Sequence, residues 1–157
     1  MSKESIMYPI KKILLPTDGS KYSLHAAKYA AQIAKKHGSD VMILHVLELS
    51  LADYPIELCS NLSFVRLAVP DETKIKERGR KAMGKTKEVL SKSGISAETK
   101  YYCCGNPRDV IIETTIKENI NLIIMGHKGL TVLEHIRLGS VAEGVMRSAP
   151  CPVLIVR

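Results

Sequence analysis

Four short stretches of this chain are almost uninterrupted in apolar residues: Ile13 to Leu15, Val41 to Val46, Leu122 to Met125 and Val153 to Val156. A strand with one wet face alternates, so unbroken runs predict strands buried on both faces, as in a parallel sheet covered by helices on each side. Between them the period changes. Ser20 to Lys36 carries Leu24, Ala27, Ala31 and Ala34 on one helical stripe, with Gly38 as its stop. Glu72 to Lys92 places Ile75, Ala82, Met83, Val89 and Leu90 near one face. Ile95 to Tyr102 alternates apolar and polar positions, which suits an edge strand. Asn106-Pro107 reads as a cap followed by a first-turn proline, with Val110, Ile112 and Ile116 supplying the buried face. Ser140 to Ser148 is a last short helix, ended by Pro150 and Pro152. Strands and helices thus alternate from end to end, which predicts right-handed crossovers and an open, doubly wound α/β sheet in one domain spanning 1–157.

The irregular stretch is Glu48 to Pro70, longer than most connections and carrying Leu51, Tyr54, Ile56, Leu58, Phe64 and Val65. Such an apolar insert is expected to be a lid, an interface or a flap.

A length of 157 residues suits one domain, and 45% hydrophobic with 25% charged residues argues against disorder. No apolar run approaches the roughly 18 residues needed to span a bilayer, and Met1 to Lys12 lacks a signal-peptide layout, so a cytoplasmic protein without a membrane partner is expected. The charge of +7 favours an anionic partner without choosing which. With 4% aromatics, one Phe and no Trp, there is little from which to build a stacking platform, which disfavours nucleic acid. Much of the excess charge lies on Glu72 to Lys92, where interspersed Glu72, Glu77 and Glu88 favour a solvated face over a basic docking surface. Cys59, Cys103, Cys104 and Cys151 show no zinc spacing and read as structural thiols.

In an open α/β sheet, ligands bind outside the carboxyl ends of the strands where the strand order reverses. Pro16-Thr17-Asp18-Gly19-Ser20 follows the first strand, Gly126-His127-Lys128-Gly129 follows the fourth, and Gly139-Ser140 opens the last helix. Glycines let a backbone approach phosphate oxygens and turn N–H groups inward as an anion nest, and a helix start attracts a phosphate. Asp18 can accept from ribose hydroxyls or hold a phosphate-bound Mg²⁺ or Mn²⁺. Each piece also has a plainer reading: turn glycines, a helix cap at Gly139-Ser140, and Asp18 as the cap of the first helix. No GxxxxGK[ST] or GxGxxG occurs, so the usual ATPase and dinucleotide readings fail on spacing. Lys128 can offset phosphate charge or simply be exposed, and His45, inside an apolar strand, reads as a hydrogen-bonded interior histidine.

The spacing glycine, two residues, glycine, nine residues, glycine, Ser or Thr is met by Gly126, Gly129, Gly139 and Ser140. In this, and in Lys12 to Ser20, Ile43 to Val46 and Ala149 to Val156, the chain resembles the ATP-binding branch of the universal stress protein family over nearly its whole length. The resemblance implies a Rossmann-like sheet of five strands in the order 3-2-1-4-5 with about four helices, ATP or a related adenine nucleotide with Mg or Mn, and a homodimer. It further implies that Pro16, Thr17 and Asp18 line the adenosine side, that the Val46 backbone meets adenine, and that Met125, Gly126, Gly129, Gly139, Ser140 and Val141 hold ribose and phosphates. His127 lies within that loop, and Val153 to Val156 resembles the dimer-pairing edge. Ala142 departs from members with a hydroxyl there.

No assembled base, arginine finger or second acidic metal ligand stands out for phosphoryl transfer. The expected function is therefore an ATP-binding regulatory protein in stress response, with slow or no hydrolysis, whose insert Glu48 to Pro70 presents a surface to a protein partner. Two alternatives stay open: a hydrolase or phosphotransferase using Asp18 and a metal, and a dimeric interaction module with a vestigial site.

Overall fold

A computed structural model describes residues 9–47, 72–103, 105–130 and 137–157; the insert Glu48 to Pro70 lies outside the described residues. Nine elements follow in the expected alternation: β1 (Lys12–Pro16), α1 (Lys21–His37), β2 (Asp40–Leu47), α2 (Glu72–Lys92), β3 (Ala97–Cys103), α3 (Pro107–Lys117), β4 (Leu122–Gly126), α4 (Ser140–Ser148) and β5 (Val153–Val156). The strands form one sheet in the order β3-β2-β1-β4-β5, every neighbouring pair parallel.

Side chains on successive strand residues point to opposite faces, and β1 shows the consequence. Ile13 and Leu15 pack with α1 and α2 on one face, whereas Leu14 packs with α3 and α4 on the other. All three are fully buried, each stabilising the fold by roughly 2 kcal/mol through apolar area removed from water. The small residues Ala26, Ala27, Ala30, Ala31 and Ala34 let α1 lie close on the sheet.

Local chemistry fixes the helix ends. Ser20 caps α1, its Oγ accepting from Ser23 N at 3.2 Å, and Gly38 ends that helix in the left-handed region at φ 66°. Asn106 caps α3, its Oδ1 accepting from Arg108 N at 3.0 Å, and Pro107 occupies the first turn. The expectation that Ile116 is buried is corrected, since its side chain is 63% exposed. The inward face of α3 is Ile111, Thr114 and Thr115. Thr115 tolerates burial because its Oγ1 donates to Ile111 O at 2.7 Å within the helix, so a residue that reads as polar in sequence lies inside.

At the end of α3, Glu118 receives Lys12 Nζ from the start of β1 at 2.9 Å and also Lys100 Nζ from the middle of β3. These two hydrogen bonds, Lys100 first, hold its carboxyl down to about 2 from an ordinary 4.5. Asn121 Oδ1 accepts from the backbone N–H groups of Lys11 and Lys12, tying the start of β1 to the segment leading into β4. Burial raises the Cys151 thiol, which keeps it protonated and fits a structural role. Among the described residues no helix is long and apolar enough to cross a membrane.

Candidate functional site

A cleft of about 700 Å³ opens at the carboxyl ends of β1, β2 and β4, a volume that suits a cofactor-sized ligand. It lies where the order predicts, because β1 has β2 on one side and β4 on the other, so the chain turns opposite ways from that point. Pro16, Thr17, Asp18, Val46, Met125, Gly126, Gly129, Gly139, Ser140 and Val141 all line it, which brings ten of the eleven candidate binding residues together.

The loop after β1 is held from several sides. Thr17 N donates to Leu44 O at 2.8 Å, and Thr17 O accepts from His45 Nδ1 at 2.7 Å. Thr17 Oγ1 sits 3.1 Å from Ser23 Oγ and 2.8 Å from Thr86 Oγ1, inside a buried hydroxyl network joining β1, α1 and α2. Thr17 therefore fixes the loop. Asp18 is not the cap of α1; that position belongs to Ser20. Its Oδ1 accepts from Ser20 N at 3.0 Å and its Oδ2 from Leu130 N at 2.8 Å, which latches the β1 loop to the segment after β4. His45 is the hydrogen-bonded interior histidine expected, stacked on Tyr101 with ring centroids 5.8 Å apart. Because a carbonyl accepts from its Nδ1, the neutral ring has an acceptor at Nε2, which is buried without a partner.

The glycine loop is built differently from an anion nest. Neither Gly126 nor Gly129 has a positive φ. Both are required by space: a Cβ on Gly126 would stand 2.8 Å from the Tyr22 backbone carbon, and one on Gly129 would stand 2.8 Å from Asp18 Oδ2. The open donors lie one step further on. Helix α4 begins at Gly139 with no side-chain cap, although the Gly139 amide itself donates to His127 O at 2.7 Å. The first helical amides, Ser140 to Ala142, thus lack intrahelical partners, and all three residues line the cleft.

Residues 9–157 match the universal stress protein family. Universal stress protein MJ0531 of Methanocaldococcus jannaschii is 40% identical over 152 residues, covering 94% of this chain and 82% of that protein. The chain belongs to the universal stress protein family. Its fold is shared with the solved structure of MJ0577, a universal stress protein of the same organism, with a TM-score of 0.73, 30% identity and coverage of 94% and 96% of the two chains. It is also shared with a universal stress protein from Archaeoglobus fulgidus solved in complex with dAMP, at a TM-score of 0.61, 21% identity and coverage of 96% and 100%.

One candidate stands apart in this universal stress protein. His127 does not line the cleft; its ring meets the edge of Tyr22 at 4.6 Å, and its Nδ1 donates to Val156 O at 3.1 Å. An imidazole beside the β5 carbonyl row is the better satisfied for turning inward. The reading of α2 as a solvated face is corrected in part, because Arg78, Lys81 and Lys85 line the cleft together with Ala82. Their spacing on one helical face was available in the sequence; what was missing was the direction in which that face points. Pro107 and Ile111, which close the cleft on the α3 side, belong to a helix whose sequence gave no sign of a role in the site.

Proposed function

We propose that this universal stress protein binds ATP or a related adenine nucleotide in the cleft and acts in the cytoplasm as a nucleotide-dependent regulator in stress response. The observation that carries this reading is the start of α4, whose first residues line the cleft with no capping side chain among the described residues, leaving amides and a positive dipole end. That arrangement suits a phosphate. The apolar Val46, Met125 and Ile111 suit the flat face of a base, and Asp18 keeps lone pairs for ribose hydroxyls beyond the two it gives to backbone amides. The related fold holding dAMP supports the same ligand class.

Binding rather than fast turnover is favoured by the titratable groups that line the cleft. Among the described residues Asp18 is the only carboxylate lining it, and the Nδ1 of His45 is engaged with Thr17 O. Among the described residues no group of three His, Cys, Asp or Glu side chains is placed to hold a metal, so Mg or Mn would rest on Asp18 and on phosphate oxygens. The homodimer is assigned to the β5 edge, where Val153, Leu154 and Ile155 are only half-buried.

The test is calorimetry of the full chain with Mg-ATP, with the nucleotide released from freshly purified protein identified by chromatography. A saturable adenine-nucleotide signal is expected, with turnover slower than about one per minute, an activation barrier well above that of ordinary enzymes. Absence of binding would remove the site assignment. Sustained hydrolysis lost in Asp18→Asn would replace the regulator with a hydrolase.

A further inference from the structure

The cleft straddles the end of the sheet, and its two walls differ. The α4 wall offers backbone amides and lies on the face packed around Leu14; α2 belongs to the opposite face, packed around Ile13 and Leu15. The charged residues that α2 contributes to the cleft are all cations. Arg78, Lys81 and Lys85, spaced at three and seven residues, turn into the cleft, whereas Glu77 and Glu88 do not line it and Glu88 pairs with Lys92. Among the described residues neither Lys81 nor Lys85 has an ion-pair partner, although Glu77 stands four residues before Lys81.

The position of this cationic wall is set by one contact. Gly19, immediately after Asp18, packs so closely on α2 that a Cβ there would lie 3.0 Å from Ala82 Cα. Ala82 lies between Lys81 and Lys85 on the helix. The loop that carries Asp18 is thus packed against the turn of α2 that carries Lys81 and Lys85, and all three side chains belong to residues lining the same cleft.

We infer that the cleft contains a second anion subsite, formed by Arg78, Lys81 and Lys85, which takes a phosphate carried on the ribose of an adenine nucleotide in addition to its 5′-phosphate. This rests on the nucleotide reading above and deepens it. A ribose has two hydroxyls, so one can stay on Asp18 while the other carries the phosphate to the lysines, which supply charge-assisted hydrogen bonds.

Calorimetry with AMP, adenosine 2′,5′-bisphosphate and adenosine 3′,5′-bisphosphate tests it on the full chain. At least one bisphosphate is expected to bind about tenfold or more tightly than AMP. In the double variant Lys81→Gln, Lys85→Gln, whose exposed positions leave the core untouched, that ratio falls towards one. Equal affinity of AMP and both bisphosphates for the unaltered protein overturns the subsite and leaves the nucleotide reading standing. A ratio that survives in the double variant also overturns it, by placing the second phosphate elsewhere. Failure of every adenine nucleotide to bind overturns both readings together.

Discussion

The helices that follow β1 and β4 start at neighbouring strands, and they treat their first amides in opposite ways. In α1 the Ser20 hydroxyl accepts from Ser23 N, and the Asp18 carboxylate accepts from Ser20 N, so side chains of the chain itself satisfy the helix start. In α4 the cap is Gly139, which has no side chain to offer, and the dipole end is left facing the cleft. The difference separates a helix start that stabilises the fold from one kept available to a ligand. A glycine cap costs only about a few tenths of a kcal/mol relative to Ser or Asn, a cost easily tolerated where an anion can take the place of a capping side chain.

The strongest way to break this comparison is to push the two starts apart. Gly126→Val places a branched side chain where the Tyr22 backbone already lies, and neither the strand nor the first turn of α1 can yield cheaply. Overpacking against backbone is expected to cost about 3 kcal/mol or more, read as a fall in the unfolding midpoint in urea. Any loss of nucleotide binding in this variant would follow from misfolding, so it is a test of the fold. A variant that unfolds like the unaltered protein would show that the loop and α1 are not in the contact described.

Ser140→Asp addresses the open start directly. An exposed carboxylate in the first turn complements the α4 dipole, so stability is expected to hold or rise slightly, while a bound phosphate meets both repulsion and an occupied amide. Adenine-nucleotide affinity is expected to fall about tenfold, or about 1.4 kcal/mol. Equal affinity before and after the substitution would move the phosphate away from α4. The mirror change is Ser20→Ala, which removes the α1 cap and is expected to cost about 1 kcal/mol of stability. Here nucleotide affinity should be preserved once folding is accounted for. The two substitutions together thus ask whether cap and ligand site are separable properties of the two helices.

Much of this was legible from the pattern of residues. The four apolar runs and the Asn106-Pro107 start depend on short-range chemistry, burial on two faces and a cap geometry, and these recur wherever the local sequence does. The errors lie where a side chain answers to a neighbour distant in sequence. Thr115 enters the core because its hydroxyl is satisfied by Ile111 O, and so Ile116 is turned outward. His127 turns toward Tyr22 and Val156 because those groups arrive from α1 and β5. Gly129 lines the cleft, and its missing Cβ also makes room for Asp18, 111 positions earlier in the chain, a contact no local pattern shows. Likewise Lys81 and Lys85 line the cleft on a helix whose Ala82 packs against Gly19, a partner 63 positions earlier in the chain.

The smallest expected effect sharpens the comparison from the other end of the sheet. Glu118, at the end of α3, pairs with Lys12 at the start of β1 and with Lys100 in the middle of β3, and none of the three lines the cleft. Its carboxyl titrates near 2 in the folded protein, below its ordinary 4.5, because the lysines favour the charged form. A depressed carboxyl contributes stability above its unfolded value, and that contribution is lost as the pH falls from about 4.5 to about 2. Glu118→Gln cannot titrate, so its thermal midpoint should depend less steeply on pH within that window than that of the unaltered protein, and the two slopes should agree near neutrality. Nucleotide affinity at neutral pH should be the same in both, because none of Lys12, Lys100 and Glu118 lines the cleft. Parallel slopes through the acid window would show that the Lys12–Glu118–Lys100 cluster is too solvated to matter, whereas a change in nucleotide affinity would mean that the two ends of β1 are coupled.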